Sequence, residues 1–340
     1  MKRRIVFLAE RIDLQVHKTA NVLLHYLSDE IVGVIDPYNR GKTVGSLLGE
    51  EYNIPIISTI DEILEYNPNY LMVGFLPAGG TLKTDWYPAI IAALQSKMNV
   101  VSGLHQNLQN VAEFSLLAKK YKVKLSHLRQ QPDSHFRFYQ KKKRAFKTIL
   151  MMDTKPSAWD LATTIELFKS LKKKNFSVKW LATSVLGNLI NKKDKVAESV
   201  SADQLSAYMS GQVYRSGKDA GFVLVEGFAS LNDLTTKGVA VSILSGSQPD
   251  GIVLCHTVSN NSFSDIAALV RKQNEIIKLL KSEDNPPQVV GLSLNTSILD
   301  EDEAKNLLEL LQREFSIPTI DPVRYGCQSL IRKMSASWRQ

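Results

Sequence analysis

Residues 145–164 read AFKTILMMDTKPSAWDLATT: an apolar run ending in Asp153, a polar turn, then the opening of a helix. A strand buried in a parallel sheet is apolar on both faces, because helices cover both sides of the sheet. Strand, short turn, helix is therefore the natural parse, and it recurs outward in both directions. Downstream, 157–174 reads as a helix, 178–184 as a strand, 201–214 as a helix, 221–227 and 250–256 as strands, 263–282 as a helix, 289–297 as a strand and 299–315 as a helix. Upstream, strands at 4–9, 31–36, 54–58, 70–75, 100–105 and 122–128 alternate with helical stretches at 17–27, from 59, at 86–96 and at 112–120. This alternation predicts an α/β chain whose sheets are parallel and covered on both faces.

The two runs are separated by QQPDSHFRFYQKKKRAFK (130–147), which is polar, basic and without periodicity. It marks the expected division into a first domain at 1–130, a basic junction at 131–146 and a second domain at 147–340, in keeping with about 100–200 residues per domain for a chain of 340. The net charge of +8 is concentrated in this region: 117–150 holds eleven Lys and Arg against one acid, Asp133. A nucleic-acid partner is not favoured by so local a charge, although Phe136, Phe138 and Tyr139 interleave with it. Two cysteines, Cys255 and Cys327, exclude a disulfide framework and a CxxC zinc site, and no metal is expected. No apolar run approaches the ~20 residues of a membrane helix. A cytoplasmic setting without membrane association is expected.

In open parallel sheets ligands sit beyond the carboxyl ends of the strands, so the strand-end residues are the candidates for chemistry. Glu226 ends the strand FVLVE, as an acid coordinating Mg²⁺ near a phosphate would, or as a loop cap would. His256 ends GIVLCH, and adjacent Cys255 points to the opposite face, so the two do not form a nucleophile–base pair. Asn295 suits either a ligand's polar edge or the cap of the next helix. Asp321 and Arg324 in DPVRYG read as an internal ion pair, or as anion capture by a guanidinium. Gly41, Gly79, Gly80 and Gly103, with His105 beside the last, mark tight loops on one side of the first sheet. The tripeptide Gly41–Lys42–Thr43 matches the end of the phosphate-binding pattern GxxxxGK[ST], but the first glycine would fall on Asp36. The turn after Asp153 holds no glycine, and only Thr163 and Thr164 match that pattern's hydroxyl end. These features give little ground for a nucleoside triphosphate with Mg²⁺. NAD is equally poorly supported, because no GxGxxG follows the first strand.

The segments TANVLLHY (19–26), IDPYNRGKTVG (35–45), VGFLPAGG (73–80), LVEGFASL (224–231), LSGSQPDGIVLCH (244–256), VVGLSLNTS (289–297) and IPTIDPVRYG (317–326) follow one another in an order that resembles the DgcN-like family across nearly the whole chain. The resemblance implies an N-terminal Rossmann-like parallel-sheet domain followed by a P-loop-NTPase-like α/β domain. It also implies acetylation of the amino group of an amino acid such as D-glutamate, with acetyl-CoA as co-substrate. Under it Glu226 is the expected base, His256 the alternative, Arg324 the clamp for a substrate carboxylate, and backbone N–H groups near Gly246 the donors to the oxyanion. The chain departs from the family's GTDCAVGKxTT, where Asp160 and Leu161 stand for the glycine and lysine. It departs again at VEGFASL, where Phe228 and Ala229 replace Gln and Gly. The expectation is a diverged member, forming a homo-oligomer, that takes a small anionic metabolite. The alternatives are a non-catalytic metabolite-binding or regulatory protein that has lost its phosphate-binding loop, and a nucleotide-dependent ligase or kinase.

Overall fold

The computed structural model describes residues 2–12, 18–48, 52–76, 80–129, 136–140, 144–192, 196–259, 262–280 and 287–338. The chain forms two compact units, one of residues 1–132 with 188–199, the other of 133–187 with 200–340. Each is built on a six-stranded parallel sheet, as the alternating sequence predicts.

In the first unit the strands are β1 (Ile5–Ala9), β2 (Ile31–Ile35), β3 (Ile56–Ile57), β4 (Tyr70–Leu76), β5 (Asn99–Ser102) and β6 (Leu125–His127), in the order β3-β2-β1-β4-β5-β6. This is the doubly wound order whose direction reverses between β1 and β4. The helices are α1 (Lys18–Leu27), α2 (Val44–Leu48), α3 (Tyr87–Gln95) and α4 (Ala112–Tyr121). All five residues of β1 are buried, which explains its unbroken apolar run. The helix expected from residue 59 is instead a 3-10 turn, Asp61–Tyr66. Glu62 organises its start by accepting from the Ser58 and Thr59 N–H groups, and Asn67 ends it with φ 47°.

In the second unit β7 (Lys147–Asp153) lies at the centre, with β8 (Val178–Leu181) and β9 (Phe222–Val225) on one side and β10 (Gly251–Thr257), β11 (Gln288–Asn295) and β12 (Thr319–Ile320) on the other. The order β12-β11-β10-β7-β9-β8 places the strand that opens the unit between two later ones. The loop after β7 thus sits where chain direction across the sheet reverses, the position that binds ligands in open α/β sheets. The helices are α5 (Trp159–Lys173), α6 (Val185–Asn191, whose residues from Asn188 on belong to the first unit), α7 (Ala202–Gly217), α8 (Lys237–Ser247), α9 (Phe263–Leu279), α10 (Glu301–Phe315) and α11 (Gln328–Ser337). Ser262 with Asp265 and Asp300 with Glu303 close reciprocal capping boxes on α9 and α10.

Of the basic junction, residues 131–135 and 141–143 lie outside the described residues. Two of the described aromatics between them, Phe136 and Tyr139, pack within the second unit. Phe136 meets Tyr208 of α7 edge-on at 5.0 Å, and Tyr139 stacks on Tyr214 at 5.0 Å. The Tyr139 carbonyl accepts from Gln248 Nε2 at 2.9 Å. Two of the three rings considered for stacking on bases are therefore engaged by the protein itself.

Helix α8 escapes a pattern reading because Gly238, Gly246 and a β-branched run weaken its helical signal. Packing maintains it: Gly246 lies against α7, where a Cβ would meet the Ser206 carbonyl oxygen at 2.5 Å and Met209 Cβ at 2.7 Å. Gly246→Ala should lower unfolding free energy by roughly 1–3 kcal/mol, the usual cost of overpacking. Denaturant melts of the wild type and variant would check this, with little effect expected from Gly238→Ala, where a Cβ meets nothing within 4 Å.

Candidate functional site

The sequence places an acid at the end of β7, and that acid determines the shape of the loop beyond it. Asp153 is buried, with Oδ2 accepting from Ser157 N at 2.9 Å and Ser157 Oγ at 2.6 Å, and Oδ1 accepting from Asp160 N at 3.2 Å. The N–H groups that open α5 are therefore turned onto a carboxylate of their own chain. The loop is also held from outside. The Thr154 carbonyl accepts from Ser230 Oγ at 2.8 Å and Asn232 Nδ2 at 3.2 Å, and the Asp153 carbonyl accepts from Gln273 Nε2 at 3.2 Å. Thr154 Oγ1 lies 2.6 Å from His256 Nδ1, and both side chains are buried.

Two further buried carboxyl groups adjoin this loop. Asp160, on the first turn of α5, accepts from Gly227 N at 3.1 Å and Phe228 N at 2.6 Å. Glu226 accepts from Thr183 N at 2.8 Å and Ser184 N at 3.3 Å, and from the Ser184 hydroxyl. Burial raises all three pKa values. Asp160 is pushed to about 6, with its backbone donors opposing the rise, while Glu226 is pushed to about 8 by burial and then by the charge of Asp160. Asp153 is raised well above the carboxylate range by burial and by Asp160. Adjacent buried carboxyls do not all ionise together, so each of the three is harder to deprotonate than an isolated carboxyl.

This environment bears directly on the sequence expectations. Glu226 reaches its strand end, where burial raises its pKa and its carboxyl oxygens organise the loop after β8. His256 stands at the carboxyl edge beside the β7 loop. Cys255 is buried, and burial, followed by the charges of Asp153 and Asp160, raises its thiol pKa well above the usual range, leaving it inert. Thr163 and Thr164 lie inside α5: Thr163 Oγ1 is 2.7 Å from Ser293 Oγ, and Thr164 Oγ1 donates to the Asp160 carbonyl at 2.7 Å. Gly246 requires correction as a source of oxyanion donors. It is an interior residue of α8, just before β10 begins, and so lies toward the amino edge of the sheet.

Asn295, Asp321 and Arg324 come together at the β11–β12 edge. Asn295 Oδ1 accepts from Ser297 N at 3.1 Å as a turn. Asp321 accepts from Thr296 N at 3.0 Å and Arg324 N at 3.1 Å. Arg324 Nη1 donates to the carbonyls of Thr296 and Leu299 at 3.0 and 3.1 Å, so this face of the guanidinium ties down the loop. In the first unit, Gly41 (φ 83°) and Lys42 hydrogen-bond to Ile56 of β3, Lys42 Nζ donates to Asn39 Oδ1 at 3.0 Å, and Thr43 Oγ1 accepts from Ser46 N at 3.2 Å. That tripeptide is a structural turn. His105 N donates to the Gly80 carbonyl at 2.9 Å, and the Gly103 carbonyl accepts from Arg129 Nε at 2.8 Å. Gly79 lies outside the described residues.

Asp153, Thr154, Asp160 and Gln273 were not among the residues expected at the site. A search for glycines and lysine passes over them, although the strand-end rule that selects Glu226 applies equally to Asp153. Among the described residues, no group of three His, Cys, Asp or Glu is placed to hold a metal ion, and no helix is long and apolar enough to cross a membrane.

Residues 137–331 match the family profile described as "Domain of unknown function (DUF1611_C) P-loop domain", and residues 37–131 match "Domain of unknown function (DUF1611_N) Rossmann-like domain". A protein named D-glutamate N-acetyltransferase from Pseudoalteromonas sp is 29% identical over 339 residues, covering 97% of this chain and 98% of its own. Another of the same name, from Tritonibacter scottomollicae, is 24% identical over 340 residues, with 98% of each chain covered. The crystal structure of a DUF1611 family protein from Anabaena variabilis superposes with a TM-score of 0.87 at 26% identity, covering 98% of this chain and 99% of that one.

The carboxyl cluster makes stability depend on pH in a definite direction. A carboxyl whose folded pKa exceeds its unfolded value binds its proton more tightly when folded, so stability falls as pH rises through that interval. For Glu226 the interval runs from 4.5 to about 8. Thermal melts should show stability declining over that range, with a shallower decline in Glu226→Gln, which keeps the shape and cannot ionise.

Proposed function

The chain belongs to the DUF1611 family, and on that footing we propose that it is an N-acetyltransferase acting on the amino group of a small anionic amino acid such as D-glutamate, with acetyl-CoA as donor. The observation that carries this reading is the likeness, over both domains, to two proteins named for that activity. In the reaction the amine nitrogen bonds to the acetyl carbonyl carbon and the carbon–sulfur bond breaks. One of the two protons lost by the ammonium ends on the thiol and the other leaves to solvent. A base is needed to expose the nitrogen lone pair. His256 suits this role better than Glu226, whose two carboxyl oxygens are already taken up by the donors of Thr183 and Ser184. Thr154 fixes the ring through Nδ1. His256 is 3% exposed, and Lys155 and Pro156 form the exposed crest of the loop beside it.

A second reading has its own support. The Asp153 carboxylate takes N–H groups that a phosphate-binding loop would offer to a ligand. Together with the missing glycines and lysine, this is the arrangement of a loop that has given up phosphate, in a protein that binds a metabolite without catalysis. It also weighs against a nucleotide-dependent ligase or kinase.

Purified protein supplied with acetyl-CoA and D-glutamate should release free thiol and form the N-acetyl product by mass spectrometry. His256→Ala should slow the reaction by about 10²–10⁴-fold, the usual contribution of a general base. Absence of product with D- and L-glutamate, together with calorimetric binding of either, would establish the non-catalytic reading instead.

A further inference from the structure

Strands β5 and β6 of the first unit end side by side in Ser102 and His127, which are register partners and therefore stand on the same face of the sheet. This edge lies away from the reversal between β1 and β4, and none of the residues discussed for acetyl transfer belongs to it. Two residues past His127, Arg129 turns back over the β5 loop. Its Nε donates to the Gly103 carbonyl at 2.8 Å and its Nη2 to Glu198 Oε1 at 3.0 Å, and its side chain is 9% exposed. His105, two residues past Gly103, is exposed.

Three donors at this edge are uncommitted among the described residues. His127 is 9% exposed, and its Nδ1 is buried with no hydrogen-bond partner. The buried Ser102 Oγ accepts from Leu104 N at 3.2 Å, and its own proton has no acceptor. Arg129 retains Nη1. Buried donors without acceptors are costly, and an incoming acceptor satisfies all three. The charges that act on the His127 ring are those of Arg129 and His105, both of its own sign; with burial, they lower its pKa. Glu198, bonded to Arg129, is the acid nearest this set.

We propose that the carboxyl edge of β5 and β6 binds a carboxylate, held by Ser102, His127 and Arg129, with His105 adding charge from the exposed side. Arg129 has only one nitrogen to give, so it presents no fork to a phosphate. Three single donors suit the two oxygens of a carboxylate better than the three oxygens and double charge of a phosphate. Binding takes up a proton. The anion favours the imidazolium form, so the His127 pKa rises when the site fills, and affinity climbs as pH falls from the bound value to the free one.

The site does not rest on the acetyl-transfer reading. Titration of the full chain with acetate, D-glutamate and inorganic phosphate, followed through the imidazole NMR signals of His127, tests it. Acetate should shift those signals to saturation and raise their titration midpoint, with affinity growing by up to about tenfold per pH unit for one coupled proton. His127→Gln, which keeps a donor without the charge, should remove that pH dependence. His105→Ala, at an exposed residue, should weaken acetate about threefold at the acid end of the titration, the scale of one exposed charge. Should His127→Gln fail to fold, the wild-type midpoint and His105→Ala decide. Unmoved His127 signals with both carboxylates at tens of millimolar, a midpoint that does not rise, or phosphate bound in preference to both overturns the inference. Acetyl transfer alongside any of those results would leave the proposed activity standing, and carboxylate binding at His127 without acetyl transfer would leave only this site standing.

Discussion

A buried carboxyl group at the end of a parallel strand must find donors, and the donors within reach are the N–H groups of nearby loops. Four strand ends in this chain follow that constraint. Asp36 accepts from Ile12 and Tyr38, Asp153 from Ser157 and Asp160, Glu226 from Thr183 and Ser184, and Asp321 from Thr296, Val323 and Arg324. Each is almost wholly buried. An unpaired polar group in that position would cost about 1–3 kcal/mol or more, so the loops take the path that satisfies it. The carboxyl edges of both sheets are organised by side chains of the chain itself.

Around β7 this arrangement has a functional consequence. The first turn of a helix offers free N–H groups and the positive end of the helix dipole, a ready site for an anion. Here the anion-like partner is supplied internally, and a second carboxyl, Asp160, extends from the same turn to the loop after β9. Three acids in one buried cluster suppress each other's ionisation, so the edge carries less charge than its composition suggests. His256 stands beside this loop, with Nδ1 2.6 Å from Thr154 Oγ1.

Much of the fold is legible because parallel strands advertise themselves. The runs IVFLA, FVLV and GIVLC are apolar on both faces, and their order with the intervening helices predicts two parallel sheets. Helix α8 is less legible because its sequence favours neither helix nor strand, and its stability comes from the close approach at Gly246, which only tertiary structure reveals. Strand-end position draws attention to Glu226 and His256 but does not say what they do. Whether an acid faces a ligand or a loop depends on which N–H groups lie beside it, and for Glu226 those come from Thr183 and Ser184, 43 and 42 residues away. Arg324 illustrates the same limit, since its carbonyl partners belong to a loop some 25 residues away.

The most direct test follows the amide resonances of Ser157 and Asp160 while a nucleoside triphosphate with Mg²⁺ is added. If the Asp153 carboxylate holds those N–H groups, both signals stay in place throughout the titration. A saturating shift of both, showing that phosphate displaces the carboxylate, would contradict the account.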